Sequence, residues 1–199
     1  MPSTQTKKLK KSSLALGKIS ALGADLIKDG MTIFTFCYSQ TVLEIFKKAK
    51  TQKKDFQVIC SETRPNLTGI IMAKELAKLN IPVTITVDVL ALQNLRQSDL
   101  FLFGVDSLTS TKKIINKNGT TLMIKLAKML QVPSFACTSL KKSANEKQAK
   151  MMLNKTRPSK EIWYKAPSKI MLRNPAYDLT ELVDITGIIC EKGILKTGN

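Results

Sequence analysis

Short apolar runs alternate along the chain with segments whose apolar residues recur at helical spacing. The apolar pattern predicts strands at 32–37, 56–61, 82–87 and 100–105. Segments with helical spacing follow the first three of them. Nearly continuous apolar strands that alternate with amphipathic helices are typical of a parallel sheet covered on both faces. The pattern therefore predicts a Rossmann-like α/β domain.

The same alternation continues toward the C-terminus. Residues 118–131 have the pattern of a helix, 132–139 that of the next strand, and 185–193 that of a last strand. The stretch after Asp106 is predicted to be irregular. We find no internal repeat.

Two parts of the chain are predicted to lie outside the sheet. Residues 1–12 form a basic, flexible tail and 13–30 a leading helix, so that the Rossmann-like domain covers 31–199. A lysine-rich stretch at about 141–169 lacks steady periodicity and is predicted to be a surface excursion, held locally by Trp163 and Tyr164.

Polar residues gather where the predicted strands end. In an open parallel sheet, ligands bind beyond the carboxyl ends of the strands, so these residues would share one rim. They include one thiol, three carboxylates and two cations: Cys37, Glu62, Thr63, Arg64, Asp88, Asp106, Thr138, Ser139 and Lys141.

Each of these residues also has a purely structural interpretation. Cys37 is a small residue suited to core packing. Asp88 fits the N-cap of the helix that follows it, and Glu62 and Arg64 can pair with each other. The segment "PNLTG" (65–69) has the composition of a turn. Their convergence on one edge is what favours a site.

The chemistry of this set fits a phosphorylated small molecule. A thiol and a carboxylate can exchange protons with a sugar when burial tunes their pKa values. Arg64 offers a planar fork for phosphate, Lys117 and Lys141 offer point charges, and the helix start at Gly119 offers backbone N–H groups. No G-x-G-x-x-G follows a strand, which disfavours a dinucleotide.

Composition narrows the class of protein further. The 199-residue chain has four cysteines without a C-x-x-C pair and no histidine, which disfavours a disulfide framework or a zinc site. No apolar run is long enough to span a bilayer, and no secretory signal follows the basic N-terminus. These features predict a cytoplasmic protein without a membrane contact.

The formal net charge of +17 is compatible with binding to nucleic acid through its phosphates. The lysines are dispersed over the tail, a helix end and the excursion, and no aromatic residues interleave with them to stack bases. Nucleic acid is therefore a weakly supported alternative to solvated, lysine-rich helix faces.

Six motifs in register resemble one superfamily over roughly residues 14–195. They are "FTFCYS", "SETRPNLTG", "TVD", "GVDSLTSTKKIINKNGT", "SFACTSLK" and "RNPAYDLTELVDITGIICEKG". The superfamily unites methylthioribose-1-phosphate isomerase, ribose-1,5-bisphosphate isomerase and the α, β and δ regulatory subunits of translation initiation factor 2B.

The resemblance implies roles for several residues. Cys37 matches the cysteine of the isomerases' T-H-C motif, and Asp106 matches the aspartate of their G-A-D motif, the catalytic pair. Arg64, Asn116 and Lys117 would hold the substrate and its phosphate, with Gly119 and Lys141 beside them and Glu62 and Asp88 in support. The reaction would convert an aldose 1-phosphate, a phosphorylated pentose, to its ketose without a metal or another cofactor.

Departures from the family pattern keep a second function open. Phe36 replaces the motif's histidine, and the family's helical N-terminal domain, with its arginine-glycine phosphate motif, is expected to be missing. The "YS" pair at 38–39 is similar to that of the factor-2B subunits. The alternative is thus a non-catalytic regulatory or scaffold subunit, and in either case we expect a homodimer or a pairing with a homologous chain.

Overall fold

The computed structural model describes the backbone of residues 4–197 and the side chains of 12–197. The helices are α1 (Thr4–Leu26), α2 (Gln40–Thr51), α3 (Thr68–Lys78), α4 (Ala91–Arg96), α5 (Thr120–Met129) and α6 (Glu146–Leu153). The strands are β1 (Met31–Phe36), β2 (Phe56–Ser61), β3 (Val83–Thr86), β4 (Leu100–Gly104), β5 (Ser107–Thr109), β6 (Lys113–Lys117), β7 (Ser134–Cys137), β8 (Ser143–Ala144), β9 (Tyr177–Glu181), β10 (Gly187–Cys190) and β11 (Gly193–Lys196).

Seven strands form the main sheet in the order β11-β10-β7-β4-β1-β2-β3. All neighbours are parallel except β10 and β11, which form an antiparallel pair. From β1 the chain winds to β2 and β3 on one side and then returns to β4 on the other side. The β1/β4 boundary is therefore the topological switch point, where open α/β sheets bind ligands.

The predicted sheet is confirmed, with helices on both faces. Successive strand residues point to opposite faces, so Ile33 joins one buried cluster while Phe34 joins the other. The first cluster contains residues of α1, α2 and α3, and the second contains residues of α4 and α5. Burial on both faces explains why these strands are apolar without alternation.

The predicted flexible tail is wrong for residues 4–12. Helix α1 begins at Thr4 rather than at 13, because residues 4–26 lack proline and contain many good helix formers. Its inner face is fixed against α2, where a β-carbon at Gly23 would meet Ile45 Cδ1 at 2.5 Å. Residues 1–3 of the predicted tail lie outside the described part of the chain.

A second, four-stranded sheet was not predicted. Its order is β8-β5-β6-β9, and it uses the stretch after Asp106 that we expected to be irregular. Strands of two to five residues give too little periodicity to reveal themselves in the sequence. Their pairing is long-range, since β6 pairs with β9 across the whole excursion.

The excursion is more ordered than predicted. It contributes β8 to the second sheet and the helix α6, whose Asn145 and Gln148 form a capping box. Trp163 and Tyr164 are 48% and 77% exposed, so they do not anchor it. Hydrogen bonds do so instead, including one from the Arg157 backbone N–H to the Asn174 carbonyl (2.8 Å).

Candidate functional site

A cavity of about 140 Å³ opens at the switch point between β1 and β4. The residues that follow the two strands line it from both sides, and β6 of the second sheet closes it. Its lining consists of Phe36, Cys37, Tyr38, Ser39, Gln40, Thr41, Gly104, Val105, Asp106, Asn116, Lys117 and Lys142. Of the predicted site residues, the cavity thus brings together Cys37, Asp106, Asn116 and Lys117.

Cys37 occupies a constrained position at the end of β1. Its φ is +71°, in the left-handed region, and its backbone N–H donates to Thr63 Oγ1 (2.9 Å). The thiol sulfur lies 3.1 Å from Thr68 Oγ1. Burial raises the pKa of the Cys37 thiol, although the Thr68 hydroxyl and the Lys117 charge partly oppose this shift. The group is therefore a neutral thiol near pH 7, able to donate a proton.

Asp106 and Lys117 form an ion pair across the cavity. Lys117 Nζ lies 3.1 Å from Asp106 Oδ2 and 4.6 Å from the centroid of the Tyr177 ring. Burial lowers the pKa of Lys117, but the Asp106 carboxylate outweighs burial and the net shift is upward. Lys117 is therefore a fixed cation.

The Asp106 oxygen that faces Lys117 retains free accepting capacity. Oδ2 is buried, and the Lys117 ammonium 3.1 Å away is the cation that faces it. A carboxylate oxygen accepts more than one hydrogen bond, so a carboxylate that lines a cavity is a candidate for ligand binding or proton transfer.

Asn116 and Gly119 belong to the turn from β6 into α5. The Asn116 amide is buried and donates to Thr120 Oγ1 (3.0 Å). Gly119 caps the helix with a φ of +101°. Its N–H and that of Thr121 both donate to Asp178 Oδ2, at 2.8 and 2.9 Å. The Gly119 N–H group, which we predicted to contact phosphate, therefore donates to the protein's own carboxylate.

Asp88 organises the loop that carries Arg64. Its carboxylate accepts hydrogen bonds from the backbone N–H groups of Thr63 (2.8 Å) and Arg64 (2.6 Å) and from the Ser61 hydroxyl (2.5 Å). Asp88 begins a short 3-10 helix, yet it caps this neighbouring loop rather than its own helix. The loop thereby places Arg64 in a small notch next to the cavity.

Glu62 and Lys141 do not line the cavity, and neither do Thr138 and Ser139 of the predicted rim. Glu62 lines a separate groove between α3 and β3, and it forms no ion pair with Arg64 in the described structure. Lys141 and its neighbour Lys142 are both exposed, but Lys142 lines the cavity and donates from Nζ to the Val105 carbonyl (2.8 Å), whereas Lys141 does not line it. Lys141 lies in the turn at 139–142, which the hydrogen bond from the Lys142 backbone N–H to the Ser139 carbonyl closes (3.0 Å), and the cavity is lined by the residue after that turn.

Sequence reasoning also missed residues from the second sheet and the excursion. Tyr177 and Asp178 of β9 contact Lys117 and the start of α5, and Arg157 of the excursion lines the notch that contains Arg64. The motif "RNPAYDLTELVDITGIICEKG" contains the two β9 residues, but its local pattern does not indicate which of its residues contact the site. Nothing in the local pattern pointed to Arg157.

The arrangement can move protons and bind anions. A neutral thiol and a carboxyl group line the same cavity, beside two lysines. Within the described residues, no group of three or more acidic, cysteine or histidine side chains is placed to hold a metal ion. The same part of the chain contains no helix long and apolar enough to cross a membrane.

A family model described as the initiation factor 2 subunit family matches residues 4–197. The chain belongs to this family. The ribose 1,5-bisphosphate isomerase of Thermococcus kodakarensis is 36% identical over 195 residues, which cover 92% of this chain and 59% of that protein. The resemblance seen in the sequence motifs is thereby confirmed.

Solved structures agree with the fold. The translation initiation factor eIF-2B of Pyrococcus horikoshii OT3 superposes with a TM-score of 0.85 at 30% identity, covering 94% of this chain and 66% of that one. The 5-methylthioribose 1-phosphate isomerase of the same organism superposes with a TM-score of 0.79 at 24% identity, covering 92% of this chain and 56% of that one. At this identity the match shows the fold alone. The chain spans about three fifths of the length of the curated isomerases it matches.

Proposed function

We propose that the protein is an aldose–ketose isomerase that acts on a pentose phosphorylated at C1, of the ribose-1,5-bisphosphate or methylthioribose-1-phosphate type. One observation carries the proposal. The Cys37 thiol and the Asp106 carboxyl group line one cavity at the switch point of the sheet.

The reaction needs an acid and a base. Opening the ring breaks the bond between C1 and the ring oxygen, which must gain a proton, and we assign this proton to the Cys37 thiol. Formation of the ketone at C2 requires the C2 hydroxyl to lose its proton, which we assign to Asp106. The hydrogen on C2 moves to C1 with its bonding electron pair, so C2 is oxidised, C1 is reduced, and substrate and product are isomers. Cys37 has lost one proton and Asp106 has gained one, and exchange with water restores both groups.

The surroundings of the two groups suit these roles. Burial raises the pKa of Cys37, so the thiol keeps its proton near neutral pH and can donate it to the ring oxygen. Asp106 Oδ2 lies 3.1 Å from the Lys117 ammonium, which holds the carboxyl group in the cavity. Lys117 and Lys142 also supply positive charge and N–H donors for a phosphate in the same cavity.

The relatives support this reaction class. Four isomerases named for ribose 1,5-bisphosphate are 32–36% identical to the chain over 89–92% of its length. Four buried, free cysteines also fit a reducing compartment, and we propose a cytoplasmic location.

A proton NMR time course tests the proposal with ribose 1,5-bisphosphate and methylthioribose 1-phosphate as substrates. We expect the native protein to convert one of them, and Cys37→Ser and Asp106→Asn each to lose at least about 100-fold of the rate, the scale of general acid–base catalysis. Absence of turnover with both substrates, or full activity in both variants, would refute the proposal.

A regulatory subunit is the second candidate. The structural match to the eIF-2B chain, at 30% identity, favours it, as does Phe36 in place of the expected histidine. This function predicts stable association with a homologous chain, whereas the isomerase is predicted to be a homodimer. Light scattering after gel filtration distinguishes a monomer from a dimer, and pull-down with the initiation factor tests the regulatory association.

A further inference from the structure

Residues 158–173 form a long surface loop between α6 and β9. An isolated antiparallel bridge between Thr156 and Pro175 closes its base, and the structure describes one regular element within it, a 3-10 turn at Ser159–Glu161. Loops of this length without secondary structure are uncommon in compact domains and are usually either binding loops or disordered linkers. The closed base favours a binding loop.

The loop exposes two adjacent aromatic rings, Trp163 and Tyr164. Every residue from 158 to 173 is at least partly exposed, so neither ring is covered by the core. We predicted that the two rings anchor the excursion, which left no aromatic side chain beside the lysines to stack on a base. Their exposure reverses that argument, because both rings can be reached from solvent.

Cations flank the two rings on both sides along the sequence. The one acid of the loop, Glu161, is paired with Arg157 at the base of the loop, at 2.7 Å. The other charged residues of the loop are all exposed and all positive: Lys160, Lys165, Lys169 and Arg173. The loop therefore carries a net positive charge around its aromatic pair.

This combination fits a polyanion that contains planar groups. Single-stranded nucleic acid offers phosphates to the cations and unpaired bases to the rings, and proteins that bind it without sequence preference combine a positive surface with aromatic side chains. A duplex offers the same phosphates, but its bases stack on one another and are not available to Trp163 or Tyr164.

Two other partners fit the loop less well. A second copy of the chain would bring this positive loop against a protein whose net charge is +17, and like charges oppose association. A membrane surface is typically bound by an amphipathic helix with cations on one face and apolar residues on the other, whereas the described loop has a single 3-10 turn.

We propose that residues 158–173 bind single-stranded nucleic acid, with Trp163 and Tyr164 stacking on bases and the four exposed cations contacting phosphates. The proposal is independent of the isomerase reaction, because the residues of the loop do not line the cavity. Nucleic acid, which the composition alone supports only weakly, thereby gains a defined surface.

The fluorescence of Trp163 tests the proposal in the full-length protein, since Trp163 is the sole tryptophan of the chain. We expect a short oligouridine to quench its emission, because a base stacks on the ring. Heparin, a polyanion without bases, should bind through the cations and quench much less. Quenching by oligouridine that is no greater than that by heparin would overturn the proposal.

Variants of the two rings separate stacking from hydrophobic docking. Anisotropy of labelled oligouridine should show at least about fivefold weaker binding for Trp163→Leu and for Tyr164→Leu, the loss expected for one stacked base. Trp163→Phe keeps a ring and should stay within about threefold of the native affinity. Affinity for a duplex of the same length should change by less than about twofold in each variant. Equal losses for both ligands, or no loss for the single strand, would contradict stacking and overturn the proposal.

A matched pair of lysines tests the phosphate contacts. Lys165→Gln should reduce the slope of log K against log salt by about 0.7, the contribution of one phosphate contact on a single strand. Lys48→Gln removes the same charge from an exposed position in the last turn of α2 and should leave the slope unchanged. The same change in both variants would indicate attraction by the net charge of the whole chain and overturn the assignment to the loop.

The same emission also identifies the two other partners. A blue shift as the native protein is concentrated without ligand would show that a second copy covers Trp163. A blue shift with phosphatidylserine vesicles, without quenching by oligouridine, would show a membrane surface. Either result would overturn the proposal.

Discussion

The ring of Phe36 packs directly against Gly119. A β-carbon at 119 would lie 2.9 Å from Phe36 Cζ, closer than carbon atoms approach, and the φ of Gly119 is +101°. Phe36, which stands where the family motif has a histidine, therefore packs between the end of β1 and the start of α5. A bulky, apolar side chain at 36 and a glycine at 119 are matched to each other.

We expect Gly119→Ala to destabilise the protein by about 2–4 kcal/mol, since backbone strain and the contact with Phe36 both contribute. Gly30→Ala is the matched control, because Gly30 also has a positive φ (+81°) but no atom within 4 Å of the added carbon. Gly30→Ala should lower the free energy of unfolding only by the backbone strain, about 1–2 kcal/mol. Urea unfolding measures both, and equal effects would contradict the packing argument.

Burial should be visible in the reactivity of Cys37. Because its pKa is raised, the thiolate fraction is small at neutral pH, and the alkylation rate should keep rising above the ordinary cysteine pKa of about 8.5. Thr68→Val should shift this profile to still higher pH, since the Thr68 hydroxyl lowers the pKa.

Iodoacetamide labelling with mass spectrometry measures these rates. Cys37→Ser is the control that identifies the labelled site. The buried Cys60, whose pKa is raised to about 12, should react far more slowly. A rate for Cys37 that reaches its plateau below pH 8 would show that its pKa is not raised.

Adjacent lysines should differ in function. Lys142 lines the cavity and Lys141 does not, so Lys142→Met should lower kcat/KM for the phosphorylated sugar by at least about tenfold, the loss expected for one charged hydrogen bond. Lys141→Met removes the same charge from the neighbouring exposed position and should stay within about twofold. Steady-state kinetics of the two variants decides this, and equal losses would indicate general attraction to anions instead.

Asp178 should make stability depend on pH. Burial raises its pKa, with the N–H donors of Thr121 and Gly119 acting in the opposite direction. The folded state therefore holds this proton more tightly than the unfolded state does. The stabilisation is complete below the unfolded pKa of about 3.9 and is lost as pH rises through the higher folded value.

The variant Asp178→Asn removes this titration while keeping an amide oxygen for the two N–H groups. The free energy of unfolding of the native protein, minus that of the variant, should fall between pH 3 and pH 7. Asp178→Ala leaves both N–H groups without their acceptor and should cost about 1–3 kcal/mol at every pH. A difference between the native protein and Asp178→Asn that rises with pH would show the opposite shift.

The sequence by itself determined the parallel sheet, its helices and the positions of Cys37 and Asp106 at strand ends. These features follow from local periodicity. A strand buried on both faces is apolar throughout, so polar residues follow it only after its last buried position. The order of the strands could not be read from that pattern, so the switch point at β1/β4 became visible only in the structure.

The tertiary structure alone decided which polar residues share the cavity. Glu62 and Lys141 follow strands as Cys37 does, yet Glu62 lines a separate groove and Lys141 lies in a turn outside the cavity lining. Tyr177 and Arg157 reach the site through the long-range pairing of β6 with β9 and the hydrogen bonds of the excursion. Local periodicity fixes which way a residue points along its own element, whereas contacts between distant segments depend on how the elements pack.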